Sequence, residues 1–93
     1  MKIVWSRRAS KDAENIIDYI SRDNQSEAFE LIDEIEEKIL KLKEFPELGR
    51  MVPEFGSKYI RELIIRNFYR VIYEIETDEF VIVTLRQTRM DTL

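Results

Sequence analysis

Apolar residues recur along this chain with two different spacings. In the first half, Ala9, Ala13, Ile16, Ile17 and Ile20, and then Ala28, Leu31, Ile32, Ile35, Ile39 and Leu42, return every three or four positions. That spacing predicts two amphipathic helices. The first runs from about Arg7 to Ser21 behind Ser6, whose hydroxyl suits an N-cap. Asp23-Asn24-Gln25-Ser26 predicts the turn, and Asn24 is placed to cap the second helix. Lys41 and Lys43 suit the negative end of that helix's dipole. Phe45-Pro46 ends it, because proline disfavours helix at the residue before it. Two such helices joined by a short turn predict an antiparallel hairpin.

Toward the end of the chain the period shortens to two. Runs at about 59–66, 68–76 and 79–87 predict three strands, with Arg66-Asn67 and Thr77-Asp78 as tight hairpin connections. In the middle run, Tyr69, Val71, Tyr73 and Ile75 share one face, and Arg70, Ile72, Glu74 and Glu76 share the other. Neither face is purely polar, which predicts a sheet covered by the helices on one side and partly open on the other. Lys2-Ile3-Val4-Trp5 reads as a short opening strand, with Trp5 in the core, and residues 46–58 as a loop. The predicted fold class is α+β, in the order β-α-α-β-β-β. An N-terminal strand and an antiparallel two-helix hairpin pack on a small antiparallel sheet, in one domain spanning 1–93.

Composition narrows the chemistry. The chain has no histidine and no cysteine, so disulfides, thiolate chemistry and the usual general base and metal ligands are excluded. Neither a cofactor nor a metal is expected, because there is no glycine-rich phosphate loop and no metal-ligand spacing. The opening Ile3-Val4-Trp5 run is far too short for a signal peptide or a membrane span. A soluble cytoplasmic protein is the expectation. The formal net charge of −4 lies wholly within residues 1–49, and residues 50–93 are balanced. An acidic chain is a poor general nucleic-acid binder.

What remains as candidate chemistry is arginine: Arg61, Arg66, Arg70, Arg86 and Arg89 on or near the strands. The planar guanidinium fork matches phosphate or carboxylate. Cross-strand ion pairs with Glu62, Glu74, Glu76 and Asp91 are the competing role. Tyr69 and Tyr73 suit base stacking in principle, but alternating aromatics are more often core residues of a strand. The acidic run Asp33-Glu34-Ile35-Glu36-Glu37 is spread around a helix and reads as a solvated face.

Several pieces together resemble the RelE/ParE superfamily, the toxins of type II toxin–antitoxin systems. They are Ile3-Val4-Trp5-Ser6 with Ala9, Ile17-Asp18-Tyr19-Ile20, Phe45-Pro46-Glu47-Leu48-Gly49-Arg50, Arg61-Glu62-Leu63 and Tyr69-Arg70-Val71-Ile72-Tyr73-Glu74-Ile75. Val81-Ile82-Val83 leading to Arg89 completes the set. The resemblance implies one fold with two activities. RelE-like members cut mRNA in the ribosomal A site with lysines, arginines and often a C-terminal tyrosine. ParE-like members inhibit DNA gyrase and cut nothing.

Carried onto this sequence, the nuclease set is Arg61, Arg70 and Arg89. Leu63 stands where a second lysine is expected, Gln87 where many relatives have histidine, and Met90-Asp91-Thr92-Leu93 holds no tyrosine or histidine. The Arg-Glu-Leu-Ile-Ile strand and the Phe-Pro-Glu-Leu-Gly-Arg loop are similar to the ParE-like branch. The reading favoured is therefore a non-enzymatic gyrase inhibitor neutralised by a cognate antitoxin, which would bind as an amphipathic helix or strand over exposed apolar surface. Arg50, Arg66 and Arg86 are the candidates for contacts to a target or partner. The alternatives are a ribosome-dependent endoribonuclease, and a non-toxic degenerate binding module of the same fold.

Overall fold

The computed structural model describes residues 1–88. Strand β1 (Lys2–Trp5) leads into helix α1 (Arg7–Ser21), helix α2 (Gln25–Leu40) and a 3-10 turn at Lys41–Lys43. Strands β2 (Arg50–Met51), β3 (Ile60–Ile65), β4 (Tyr69–Ile75) and β5 (Glu79–Gln87) follow. They form one five-stranded sheet in the order β1-β5-β4-β3-β2. The helix hairpin and the three long strands match the expectation closely. Two features differ from it. The sheet is mixed, because β1 pairs parallel to β5. A two-residue strand, β2, lies inside the segment expected to be loop and pairs Arg50 with Glu62 and Met51 with Arg61.

Local chemistry fixes each boundary. The Ser6 hydroxyl accepts from Ala9 N at 2.9 Å, capping α1, and donates to Val83 O at 2.8 Å. The Asn24 side chain accepts from Glu27 N at 3.1 Å and caps α2. Arg66 and Asn67 have φ of 55° and 64°, the left-handed pair at the centre of the tight turn over 65–68, which Phe68 N closes by donating to Ile65 O at 3.2 Å. Between Ile72 and Tyr73 the register to β5 slips, so that Ile72 faces Thr84 and Tyr73 faces Ile82, leaving Val83 as the extra residue of a bulge.

The bulge lies just beyond the last β1–β5 pair, Trp5 with Ile82. From there α1 takes over the β5 edge. The Asp12 carboxylate accepts from the Thr84 hydroxyl at 2.6 Å and from Leu85 N at 3.0 Å. A backbone donor that would otherwise be left open on the sheet edge is satisfied by a side chain of the helix.

The core lies between the hairpin and one sheet face. Ala9 and Ile16 of α1, with Leu31, Ile35 and Ile39 of α2, pack with Leu63, Ile65, Val71, Tyr73, Phe80, Ile82 and Leu85. Ile3 and Trp5 are partly buried against it. On the opposite face, Ile72 and Glu62 are also buried. The segment after β2 returns over this face, since the Glu54 carboxylate reaches to 3.7 Å from Arg70. No helix among the described residues is long and apolar enough to cross a membrane.

Candidate functional site

The arginines expected on the strands divide into those held by other groups and those left open. Glu62, in the middle of β3, is 2% exposed. Its Oε1 accepts from Arg50 Nε at 2.8 Å and its Oε2 from Arg70 Nε at 2.7 Å, with Arg70 Nη2 forming a second contact. Both carboxylate oxygens are therefore occupied by charge-assisted bonds. Burial pushes the Glu62 carboxyl up, but hydrogen bonds from Arg70 and Arg50, with their charges, outweigh it and hold the group below the usual glutamate value. The bond to Glu62 raises the already high Arg70 value further. Arg70 is thus a fixed, neutralised cation with Glu54 as an additional neighbour.

Arg61 is committed to the backbone. Its Nε donates to Lys58 O at 2.9 Å and its Nη1 to Gly49 O at 2.9 Å, with the Glu47 carboxylate 3.8 Å away. Tyr73 lies on the strand beside it, in direct register with Arg61. The Tyr73 hydroxyl donates to Pro46 O at 2.9 Å and accepts from Gly49 N at 3.0 Å. The Pro46-Glu47-Leu48-Gly49-Arg50 segment is therefore fastened to the sheet by Tyr73, Arg61 and the Arg50–Glu62 pair. Gly49 permits this, because a Cβ there would fall 2.7 Å from Glu62 O and 2.7 Å from the Tyr73 ring. Sequence reasoning did not find this latch. One signal was available: a tyrosine on a core-facing strand position needs a partner for its hydroxyl, and a loop carbonyl or amide is the usual one.

The remaining positions are placed as follows. Arg66, in the hairpin turn, donates from Nε to Glu34 Oε2 of α2 at 2.8 Å. Arg86 faces Arg70 across β4–β5 and is exposed, with no ion pair to a described residue. It lines an open groove of about 600 Å³ between α1 and the end of β5, with Arg8, Tyr19, Arg22 and Gln87. Leu63 is 3% exposed and belongs to the core. Arg89 lies outside the described residues.

The pieces that suggested a superfamily are thus the pieces that hold this fold together. A model of the ParE toxin family, described as the ParE toxin of the type II toxin–antitoxin system parDE, matches residues 3–92. The chain belongs to the ParE toxin family. Among solved structures, it is similar to one described as the chromosomal ParDE TA system from P. aeruginosa. The TM-score is 0.74 at 20% identity, over 94% of this chain and 95% of that one. It is also similar to the conserved hypothetical protein HP0894 from Helicobacter pylori, with a TM-score of 0.51 at 19% identity and 96% of each chain covered. None of the curated proteins matches the chain. At these identities the structures share the fold, and the RelE/ParE architecture expected from the sequence is the one found.

In this ParE-family chain, Tyr73→Phe isolates the latch. The ring and its packing remain, while Pro46 O and the buried Gly49 N–H lose their partner. An unsatisfied buried donor or acceptor costs about 1–3 kcal/mol. We expect a loss of about 2 kcal/mol in unfolding free energy by urea titration. Burial also raises the Tyr73 phenol above its usual value near 10. The fold therefore favours the neutral phenol. Its contribution is complete below about pH 10 and is lost as pH rises through the higher folded value. The phenylalanine variant lacks that alkaline loss.

Proposed function

We propose that this ParE-family toxin inhibits DNA gyrase and is neutralised by a cognate antitoxin. The observation that carries the reading is the family match over residues 3–92. The disposition of the arginines supports it. Stabilising a phosphorane needs cations free to meet developing negative charge. Arg70 is neutralised by Glu62, and Arg61 is spent on the Lys58 and Gly49 carbonyls. A binder needs no such free set.

Three arginines are proposed for contacts to the target or antitoxin. Arg86 is exposed and unpaired among described residues, while Arg50 keeps 70% of its side chain exposed despite its bond to Glu62. Arg66 keeps about a third exposed beside Glu34. Arg86 carries the most weight because no bond within the described fold competes for it.

The purified protein is expected to inhibit gyrase supercoiling or to accumulate gyrase–DNA cleavage complexes, and Arg86→Glu to weaken this about tenfold. The absence of any gyrase effect, at concentrations that arrest growth in cells, would overturn the target assignment. Primer extension showing cuts at A-site codons of ribosome-bound mRNA, abolished by Arg70→Ala, would replace it with the ribonuclease reading. Co-expression of the protein encoded by the adjacent reading frame is expected to restore growth.

A further inference from the structure

At the end of the sheet where β4 stops and β5 begins, the chain leaves large apolar groups in water. Phe45 is 57% exposed, Leu48 42% and Tyr59 52%. With Ile75 they line one open groove of about 830 Å³ between the latched loop and the start of β3. Most single exposed apolar residues need no explanation, but several around one concavity mark a contact surface. Tyr59 and Ile75 also line a second depression directly alongside, whose other walls include Glu74, Glu76, Asp78 and Glu79. None of these four carboxylates has an ion pair with a described residue. Among the described residues, the only cation on that wall is Lys2.

We propose that this continuous surface docks a protein segment carrying one large apolar side chain flanked by lysine or arginine. The apolar anchor fits between Phe45, Leu48 and Tyr59. The flanking cations meet the four carboxylates, which repel one another while unpaired and so favour a cationic occupant. The surface already holds a cation of its own: the Lys58 ammonium lies 5.3 Å from the centre of the Tyr59 ring. That is the geometry of a cation–π contact, and an arriving cation can take its place. The inference rests on the chemistry of this surface and is independent of gyrase as target. The surface is also separate from Arg86, which lines the groove beside α1.

The test uses two fluorescein-labelled peptides, acetyl-Lys-Lys-Trp-Lys-Lys-amide and its counterpart with every lysine replaced by glutamate, titrated with the full chain by fluorescence anisotropy. The lysine peptide is expected to bind saturably and the glutamate peptide not at all. Raising ionic strength from about 0.05 M to about 0.3 M should weaken binding severalfold. Glu76→Lys with Asp78→Lys, and separately Leu48→Ser, are expected to raise Kd about tenfold. All three positions are exposed, so an unchanged circular-dichroism melt certifies the fold of each variant. Binding of both peptides alike, binding of neither, or binding untouched by these substitutions would overturn the proposal. So would sedimentation showing a wild-type dimer that Phe45→Ser dissociates, because the occupant would then be a second copy of this chain.

Discussion

Glu62→Ala is expected to lower the unfolding free energy by about 3 kcal/mol at neutral pH, near the lower end of what breaking a buried ion pair costs. The value is not higher because Arg50 is 70% exposed and regains water when its partner goes. Most of the loss falls on Arg70, whose side chain is 18% exposed and which, among the described residues, would keep Glu54 at 3.7 Å as its one carboxylate. Glu62→Gln, which retains one acceptor but no charge, should fall between the two proteins. The pH dependence separates this from a simple packing defect. Because the folded state holds Glu62 below the usual value near 4.5, its contribution is complete above about pH 4.5. It is lost as pH falls through the lower folded value. Urea titrations across that acid range should show wild type and Glu62→Ala converging as pH drops. A constant gap between them would assign the loss to packing instead.

How much of this was legible in the sequence depends on the range of the interaction. The helices, both side-chain caps and the Arg66-Asn67 turn were legible because each is written within a few neighbouring residues. That Arg70 and Ile72 share the face opposite the helices was legible from the alternation in β4, but the return of the segment after β2 over that face was not. Strand β2 was not, because a pair of residues has no periodicity and its pairing with β3 depends on a partner about a dozen positions away. The parallel pairing of β1 with β5 was equally hidden, since nothing in Ile3-Val4-Trp5 specifies the strand it joins. For the candidate site, the residue types were visible but their use was not. Arg70 and Glu62 alternate with core residues in any reading, yet only the register, with Glu62 facing Ile72 and Arg70 facing Ile64, sets them diagonally within reach. The Phe-Pro-Glu-Leu-Gly-Arg stretch marked a family without disclosing a reason. The reason is the latch: Pro46 and Gly49 supply the backbone groups that Tyr73 binds, and Arg50 supplies a cation for Glu62.

Gly49→Ala tests that latch at its tightest point. The new methyl carbon would lie 2.7 Å from Glu62 O, 2.7 Å from Tyr73 Cε1 and 2.8 Å from the Tyr73 hydroxyl. The first of these is backbone in the middle of a paired strand and cannot swing aside, so the loop must lift. Lifting it breaks the bond from Gly49 N to Tyr73 and strains the bond from Arg61 to Gly49 O. Overpacking alone costs about 1–3 kcal/mol, and the lost bonds add to it, so a total of about 4 kcal/mol is expected. For a domain of this size each kcal/mol corresponds to roughly 4–8 °C in Tm, and the variant should melt at least about 15 °C lower. Gly56 is the control, being glycine for a different reason. Its φ is +58°, and a methyl group placed there would meet nothing within 4 Å. Gly56→Ala therefore costs only the left-handed backbone penalty of about 1 kcal/mol. Combining Gly49→Ala with Tyr73→Phe discriminates further. If both act through the same latch, the double variant loses much less than the two single losses combined. Fully additive losses would show that Gly49 is required for something other than the approach of Tyr73.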